Sequence, residues 1–429
     1  MDQESPLLTH AEEISPPMKA YYANRRLMWR NLAMIMLLNL GWSLCFNVVA
    51  PLMQLRLSSL GMNSTGLGWL YGCTSWVTGF LTMYFAWKSD HTVTRWGRRI
   101  PYLFISAPFV ILSVIVFPLT SSLWILLTIW AIQAISRDAE GATIPLLNID
   151  CMPRRMLARM GAPVTIMFGI VGFLALRYGL GLPGGLPYFI GAALVFATTF
   201  AGFAIHEPPV HAEGRQERFK PWSAMQVAFQ DRRTILLVIS AALVYSFLVV
   251  WGMWIYLYAQ NTLHLDKSAI GHVMAWPALI GIIMAWPTAW VVDHLSPYKL
   301  AVGFWLFCGL LVVLLWHAHT PASLTLVVCA GGVIFPLYNA VDLMVYRHRH
   351  PNEVGSVTSS LSFVKFGLCA GLVQGLSGNL IQAFNNNYIL GDVFGWLLLT
   401  LGLAGLFVYR FLMRDPTPVP VAPVLERVP

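Results

Sequence analysis

The stretch "KSDHTVTRWGRRIPY" (Lys88–Tyr102) sets Lys88, Asp90, Arg95, Arg98 and Arg99 between two apolar runs, Leu67–Trp87 and Leu103–Leu119. How the flanking runs are read decides the fold. Hydrophobic residues make up 57% of the 429-residue chain against 11% charged, with a mean hydropathy of +0.65. Soluble domains carry about 25% charged residues, so this chain has too few to cover a wetted surface. The runs are membrane spans, the basic stretch joins two of them, and the chain is an integral membrane protein embedded in the bilayer.

A spanning helix needs about 20 apolar residues. That criterion predicts twelve, at about 31–52, 66–87, 101–119, 122–148, 158–180, 186–205, 234–260, 269–292, 299–317, 321–346, 356–383 and 391–413. Their first run is long enough to span, so no cleaved signal peptide is expected. Lys and Arg placement sets the orientation. With the N-terminus inside, the inner segments hold 22 of these residues and the outer loops only Arg56, Arg177 and Lys267. Both termini are therefore expected in the cytoplasm, with the chain in a plasma membrane or bacterial inner membrane. The same bias explains the net charge of +8 without nucleic acid as a partner.

The six cysteines fall mostly within apolar runs and show no CxxC spacing, so neither disulfides nor a metal site are expected. "YRHRH" (Tyr346–His350) reads as a basic anchor at an inner loop, without the carboxylates or thiolates that a metal would need.

Residues 207–233 form the longest polar interruption. They divide the chain into a tail (1–30), a six-helix bundle (31–206), a central loop (207–233), a second six-helix bundle (234–413) and a tail (414–429). The halves echo each other. "AWKSD" ending at Asp90 parallels "AWVVD" ending at Asp293, and "IPLLNID" ending at Asp150 parallels "FPLYNAVD" ending at Asp342. Paired echoes in a six-plus-six layout indicate duplicated halves with a midplane site between them.

Ser89-Asp90 followed by Arg95, Gly97, Arg98, Arg99 and Pro101 resembles the loop signature of the major facilitator superfamily. The long spacer and trailing proline are similar to its sucrose-transporter and glycoside-pentoside-hexuronide branch. "RDAEGATIPLLNID" (Arg137–Asp150) resembles the Q-G-P-A-x-A-L-L-A-D segment of that branch, and "SFVKFGLCAG" (Ser362–Gly371) its F-x-x-K-x-G pattern. The resemblance implies an all-α membrane fold of twelve helices in two pseudo-symmetric bundles, working as a monomer by alternating access. Asp90, Arg95, Gly97, Arg98, Arg99, Asp150, Asp293 and Asp342 would then serve gating. Sodium-coupled members carry two aspartates on the second helix, where this chain has Thr78 and Thr82 and no carboxylate from Leu67 to Ser89. The resemblance thus implies a proton, not sodium, as the coupling ion, and no other cofactor.

Ionisable groups in hydrocarbon cost about 3 kcal/mol each on insertion scales. Arg137, Asp138 and Glu140 precede Asp150 by 10 to 13 residues, or ~15–20 Å at helical rise. Arg137 and Glu140 are three apart and share a face, whereas Asp138 points about 100° away. Either an acid there takes up a proton with Arg137 tuning it or holding a solute hydroxyl, or Arg137 and Glu140 neutralise each other and only pack. Lys365, equally deep, would pair with Asp138, Glu140 or Asp342. These readings give Asp138, Glu140 and Lys365 as coupling residues.

Sugar binding needs aromatic faces and hydroxyl partners. Asn39, Trp42 and Phe46 with neighbouring Asn47 form one stripe, and Trp251, Trp254 and Tyr258 another; such stripes also arise from packing or the interfacial aromatic belt. The expected function is secondary transport of a sugar or glycoside by proton symport, with Asn39, Trp42, Asn47, Arg137, Glu140, Trp254 and Tyr258 binding the solute. An exporter or uncoupled facilitator of another small organic solute is the alternative, and a transporter-derived receptor or structural protein is a third. The sequence holds no nucleotide-phosphate loop, HExxH or GxSxG, and its inner loops are too short for a catalytic domain, so no enzyme is expected.

Overall fold

The computed structural model describes residues 21, 23–90, 92, 94–151, 157–207, 232–294, 297–334 and 363–412. Among them the chain is helical, with one isolated bridge, Thr94 to Gly97, in the first basic loop. The first half holds α1 (Arg25–Leu44), which continues through a wide π turn (Cys45–Val49) into α2 (Ala50–Ser59). It goes on with α3 (Ser64–Asp90), α4 (Ile100–Val116), α5 (Leu123–Cys151), α6 (Leu157–Leu174) and α7 (Leu186–Thr199). The second half holds α8 (Arg232–Leu257), α9 (Lys267–His294), α10 (Pro297–Trp316), α11 (Pro321–Gly331), α12 (Ala370–Ala383) and α13 (Ile389–Leu412). A π turn (Phe363–Cys369) leads directly into α12.

Among the described residues, eight helical runs are long and apolar enough to cross a membrane. α5 falls short because every 18-residue window within it contains Arg137, Asp138 and Glu140. The first span runs from Arg25 to Ser59, beyond the 31–52 expected from hydropathy. Its polar ends ride on the same helix, whose backbone bonds do not stop where hydrocarbon does. Only the start of the expected tenth span, 321–346, falls among the described residues.

Local chemistry sets the helix starts. Pro101, Pro187 and Pro321 stand in the first turns of α4, α7 and α11, where a missing N–H leaves no broken bond. Thr320 and Ser323 close α11 reciprocally, each side chain bonding the other's backbone amide at 3.2 and 3.0 Å. Trp124, Leu326 and Phe411 are among many large apolar side chains facing outward, as a lipid solvent permits.

Within the first half, α1 packs on α6 and α7, α4 on α5 and α7, and α3 on α5. Within the second, α8 packs on α12 and α13, α10 on α13, and α9 on α11. Two seams join the halves, α3 against α12 and α6 with its following π turn against α9. Both lie toward the end opposite the Lys88–Tyr102 loop, here called the distal end.

Glycine makes the first seam. Gly68, Gly72 and Gly79 of α3 face Gly367, Gly371, Gly375 and Gly378 around α12. A Cβ on Gly72 would lie 2.5 Å from the Gly371 carbonyl oxygen, and one on Gly79 2.6 Å from the Gly367 Cα. In lipid, apolar burial does not drive helices together, so association relies on van der Waals contact between closely approaching backbones. Replacing Gly72 with Leu should force the seam apart and cost about 1–3 kcal/mol, as overpacking does. Thermal unfolding of the purified chain in detergent would show the loss, whereas Gly303→Leu, at an open position, should leave the transition unchanged.

Candidate functional site

At the end carrying the basic loop, Asp150 closes α5 and receives two arginines. Arg98 Nη2 lies 2.6 Å from Oδ1, and Arg99 Nε 3.1 Å from Oδ2. Arg99, only 2% exposed, also donates to the Ala86 carbonyl at 3.3 Å and to the Ser89 hydroxyl. The loop is thereby tied to the ends of both α3 and α5. Arg95 stacks on its neighbour Trp96 at 4.7 Å.

Glu207, just beyond α7, supplies the group that sequence reading missed. Its carboxylate accepts the backbone amides of Arg98, Arg99 and Ile100 at 2.8, 2.9 and 3.1 Å, capping α4. Helix N-termini attract such charge through their free amides and dipole. Gly97, at φ +111°, makes room, since a Cβ there would lie 2.5 Å from the Glu207 carboxyl. The available signal was that a basic loop opening a helix needs an acceptor it does not itself contain.

Every described member of this network belongs to the first half. Asp90 ends α3 and Asp293 lies near the end of α9, but their side chains, like the whole of Asp342, fall outside the described residues.

Deeper in α5, the three charges diverge. Glu140 turns to α4, is 5% exposed and accepts from the Ser106 hydroxyl at 3.2 Å. Asp138 turns to α3, beside Thr78, and its Oδ2 is buried without a hydrogen-bond partner. Arg137 stands by Asp138 and Tyr71 and makes no ion pair with either acid. Of the two readings of this spacing, the Arg137–Glu140 pair does not form here; Glu140 instead accepts from a hydroxyl of α4.

Trp42 reaches the same region. A Cβ on Gly141 would lie 3.7 Å from its ring, and Gly141 is one turn beyond Arg137 on the same face of α5. Tyr71 packs edge-on against Trp130 at 4.8 Å, and Tyr256 of α8 adjoins it from the other half. Trp130 donates to Thr74 at 3.2 Å. Tyr71, Trp130 and Tyr256 were not anticipated, since each falls outside the two aromatic stripes picked out by helical spacing.

Lys365 is 2% exposed, with Nζ 5.4 Å from the Tyr245 ring centre and 5.2 Å from that of Phe366. Neither Asp138 nor Glu140 is within ion-pair distance of it.

Three residues expected to bind solute are committed to packing. Trp254 is fully buried and donates to Ser377 at 3.0 Å, while Tyr258 donates to the Ala318 carbonyl at 2.9 Å. Asn47 donates to the Ser43 carbonyl at 2.8 Å and lies against Gly172 of α6. In this structure these three side chains are held by packing and hydrogen bonds to protein groups. Asn39 is half-buried and donates to the Ile35 carbonyl at 2.8 Å.

Hydrogen bonds across the α3–α12 seam seal the distal end. Ser64 donates to Asn386 at 2.9 Å, Trp69 to Asn379 at 3.1 Å and Ser75 to Gln374 at 2.8 Å. Gln54 of α2 donates to the Met253 carbonyl of α8 at 2.7 Å. The Glu207 cap gives a direct test. Glu207→Ala should destabilise the first half by about 1–2 kcal/mol, the cost of a lost helix cap, visible as a lower melting temperature in detergent. Glu207→Asp should recover part of the loss.

The model of the Major Facilitator Superfamily matches residues 32–373. No curated protein matched the chain by sequence. Among solved structures, a point variant of the nucleoside transporter NupG is similar at a TM-score of 0.72 and 13% identity, covering 90% of this chain and 99% of that one. A bacterial homologue of the human lysosomal transporter Spinster, in an inward-facing and unoccupied conformation, scores 0.67 at 12% identity, over 92% of this chain and 98% of that one. The human organic anion transporter MFSD10 scores 0.61 at 14% identity, over 87% and 99%.

Proposed function

The chain belongs to the Major Facilitator Superfamily, and from that premise we propose that it carries a sugar or glycoside by alternating access, driven by proton symport. The observation that carries this reading is the arrangement on α5. Two carboxylates lie deep in an apolar bundle with no ion pair, on either side of a face that presents Arg137 and adjoins Trp42. Ionisable side chains at such depth are costly and are kept where they meet a partner or a wet cavity during a transport cycle. Asp138 and Glu140 are then the proton carriers. Trp42 and Tyr71 offer ring faces to the solute, and Arg137 and Asn39 offer polar contacts.

With both termini in the cytoplasm, the distal end, where the halves are joined, faces outward. Lys365 is beyond ion-pair distance of Asp138 and Glu140 and would meet one of them when the halves rock the other way. A proton serves better than sodium here, because α3 supplies no carboxylate before its last residue to complete a cation site. The working unit is a monomer, since each half closes against its own partner half.

A second reading, an exporter or facilitator of another small organic solute, draws support from the solutes named for the similar structures. Proteoliposomes with an imposed pH gradient separate the two. Accumulation of a labelled sugar that collapses when the gradient is dissipated supports symport, whereas equilibration insensitive to the gradient supports facilitation. Glu140→Gln should preserve solute exchange while abolishing uphill uptake, and retained uphill uptake would remove Glu140 from coupling. Asp138→Asn should behave likewise if the two acids share one proton pathway. Trp42→Ala should raise KM about tenfold, the loss of roughly 1.4 kcal/mol of ring contact.

A further inference from the structure

At the distal end, both halves contribute to a cavity of about 470 Å³. Arg56 of α2 and the Gly184–Gly185 turn before α7 line it from the first half, and Asp266, Lys267 and Ser268 at the start of α9 from the second. Its groups are arranged for a negative charge that the protein does not supply. A guanidinium has five N–H donors. Arg56 uses one, from Nη2 to the Thr120 carbonyl at 2.7 Å, while its Nε is buried with no partner.

Among the described residues Lys267 makes no ion pair. The one carboxylate present, Asp266, accepts the Ala269 amide at 3.0 Å as the cap of α9 and pairs with neither cation. Opposite it, α7 begins at Gly185 without a side-chain cap, and the Gly184 and Gly185 amides donate to no protein group. Gly184 sits at φ +58° with nothing within 4 Å of where a Cβ would stand, which leaves its backbone open to the cavity. Uncapped helix starts and free amides of this kind receive carboxylates and phosphates.

We propose that this cavity binds an oxyanion, a carboxylate or phosphate group, and that the bound group holds the distal end closed. The geometry supplies the coupling. Arg56 and the Gly184–Gly185 turn move with one half and Lys267 with the other, so the site is complete only while the halves meet there. A Cβ on Gly181, beside the cavity, would lie 3.0 Å from the Ser268 hydroxyl of the opposite half. An anion bridging the halves binds the closed state better than the open one, which is the condition for shifting that equilibrium. The same chemistry is offered by a free anion and by the phosphate of an acidic lipid headgroup.

Distal closure can be read without any transport assay. Ser64 and Asn386 touch across the seam, so the S64C/N386C pair, in a chain with its other cysteines replaced, cross-links only when that end is shut. The full chain is placed in nanodiscs of phosphatidylcholine, with or without millimolar inorganic phosphate, and in nanodiscs containing phosphatidylglycerol. The expected result is a rise of about fivefold or more in the closed-to-open ratio with one of the two additions, lost in K267Q. A rise with phosphate identifies a free anion, and a rise with phosphatidylglycerol alone identifies a lipid headgroup.

No rise with either addition overturns the proposal, as does a rise fully retained in K267Q. R56Q should also lose the rise, but Lys267 decides the test because Arg56 additionally bonds Thr120. A chain that carries no sugar can still pass this test, and one that carries sugar can fail it.

Discussion

Two helices from opposite halves touch backbone to backbone where α3 meets α12, and the distal closure follows from that contact. With glycine on both sides, the helix axes come close enough for Ser64, Trp69 and Ser75 to reach partners on or just after α12. Larger residues at Gly72 or Gly371 would hold the same groups out of range. The bonds that result join neutral partners, and such bonds within membranes average about 0.6 kcal/mol each. A closure built this way is specific in register yet weak enough to reopen, as a rocking carrier requires. An interlock of buried ion pairs would resist that reopening far more.

The midplane obeys a different constraint. α5 must present charge without surrendering its place in an apolar bundle. Each charge finds a different neighbour: Ser106 for Glu140, Thr78 for Asp138, and the face shared with Trp42 and Gly141 for Arg137. Consecutive positions differ by about 100° around a helix, so four residues are enough to address three surroundings. The two acids therefore stand in separate environments despite being two residues apart.

Much of this architecture was legible in the chain. Hydropathy predicted twelve spans, of which eight helical runs among the described residues are long and apolar enough to cross, and the basic loop together with "IPLLNID" pointed to Arg98, Arg99 and Asp150, which the structure brings together. What periodicity could not supply was the identity of a side chain's neighbour. Trp254 and Tyr258 lie on a stripe that fits a solute wall equally well as a helix interface, and their partners Ser377 and Ala318 lie 123 and 60 residues away. The glycines of α3 and α12 were visible as letters, but their meaning depends on which helix stands opposite. Glu207 was hidden for the same reason: its partners lie more than a hundred residues earlier.

The position of Glu207 also bears on how the molecule divides. It is the first residue of the connection between the halves, yet it is built into the first half as the cap of α4. The structural boundary of that half therefore falls one residue later than hydropathy places it. A first half produced as a separate polypeptide would be self-sufficient at this end if it stopped after Glu207. Stopping at His206 would leave three amides at the head of α4 with no acceptor from their own chain. Because Glu207 is held by the head of α4, a change in the length of the connection made after it would leave the cap in place.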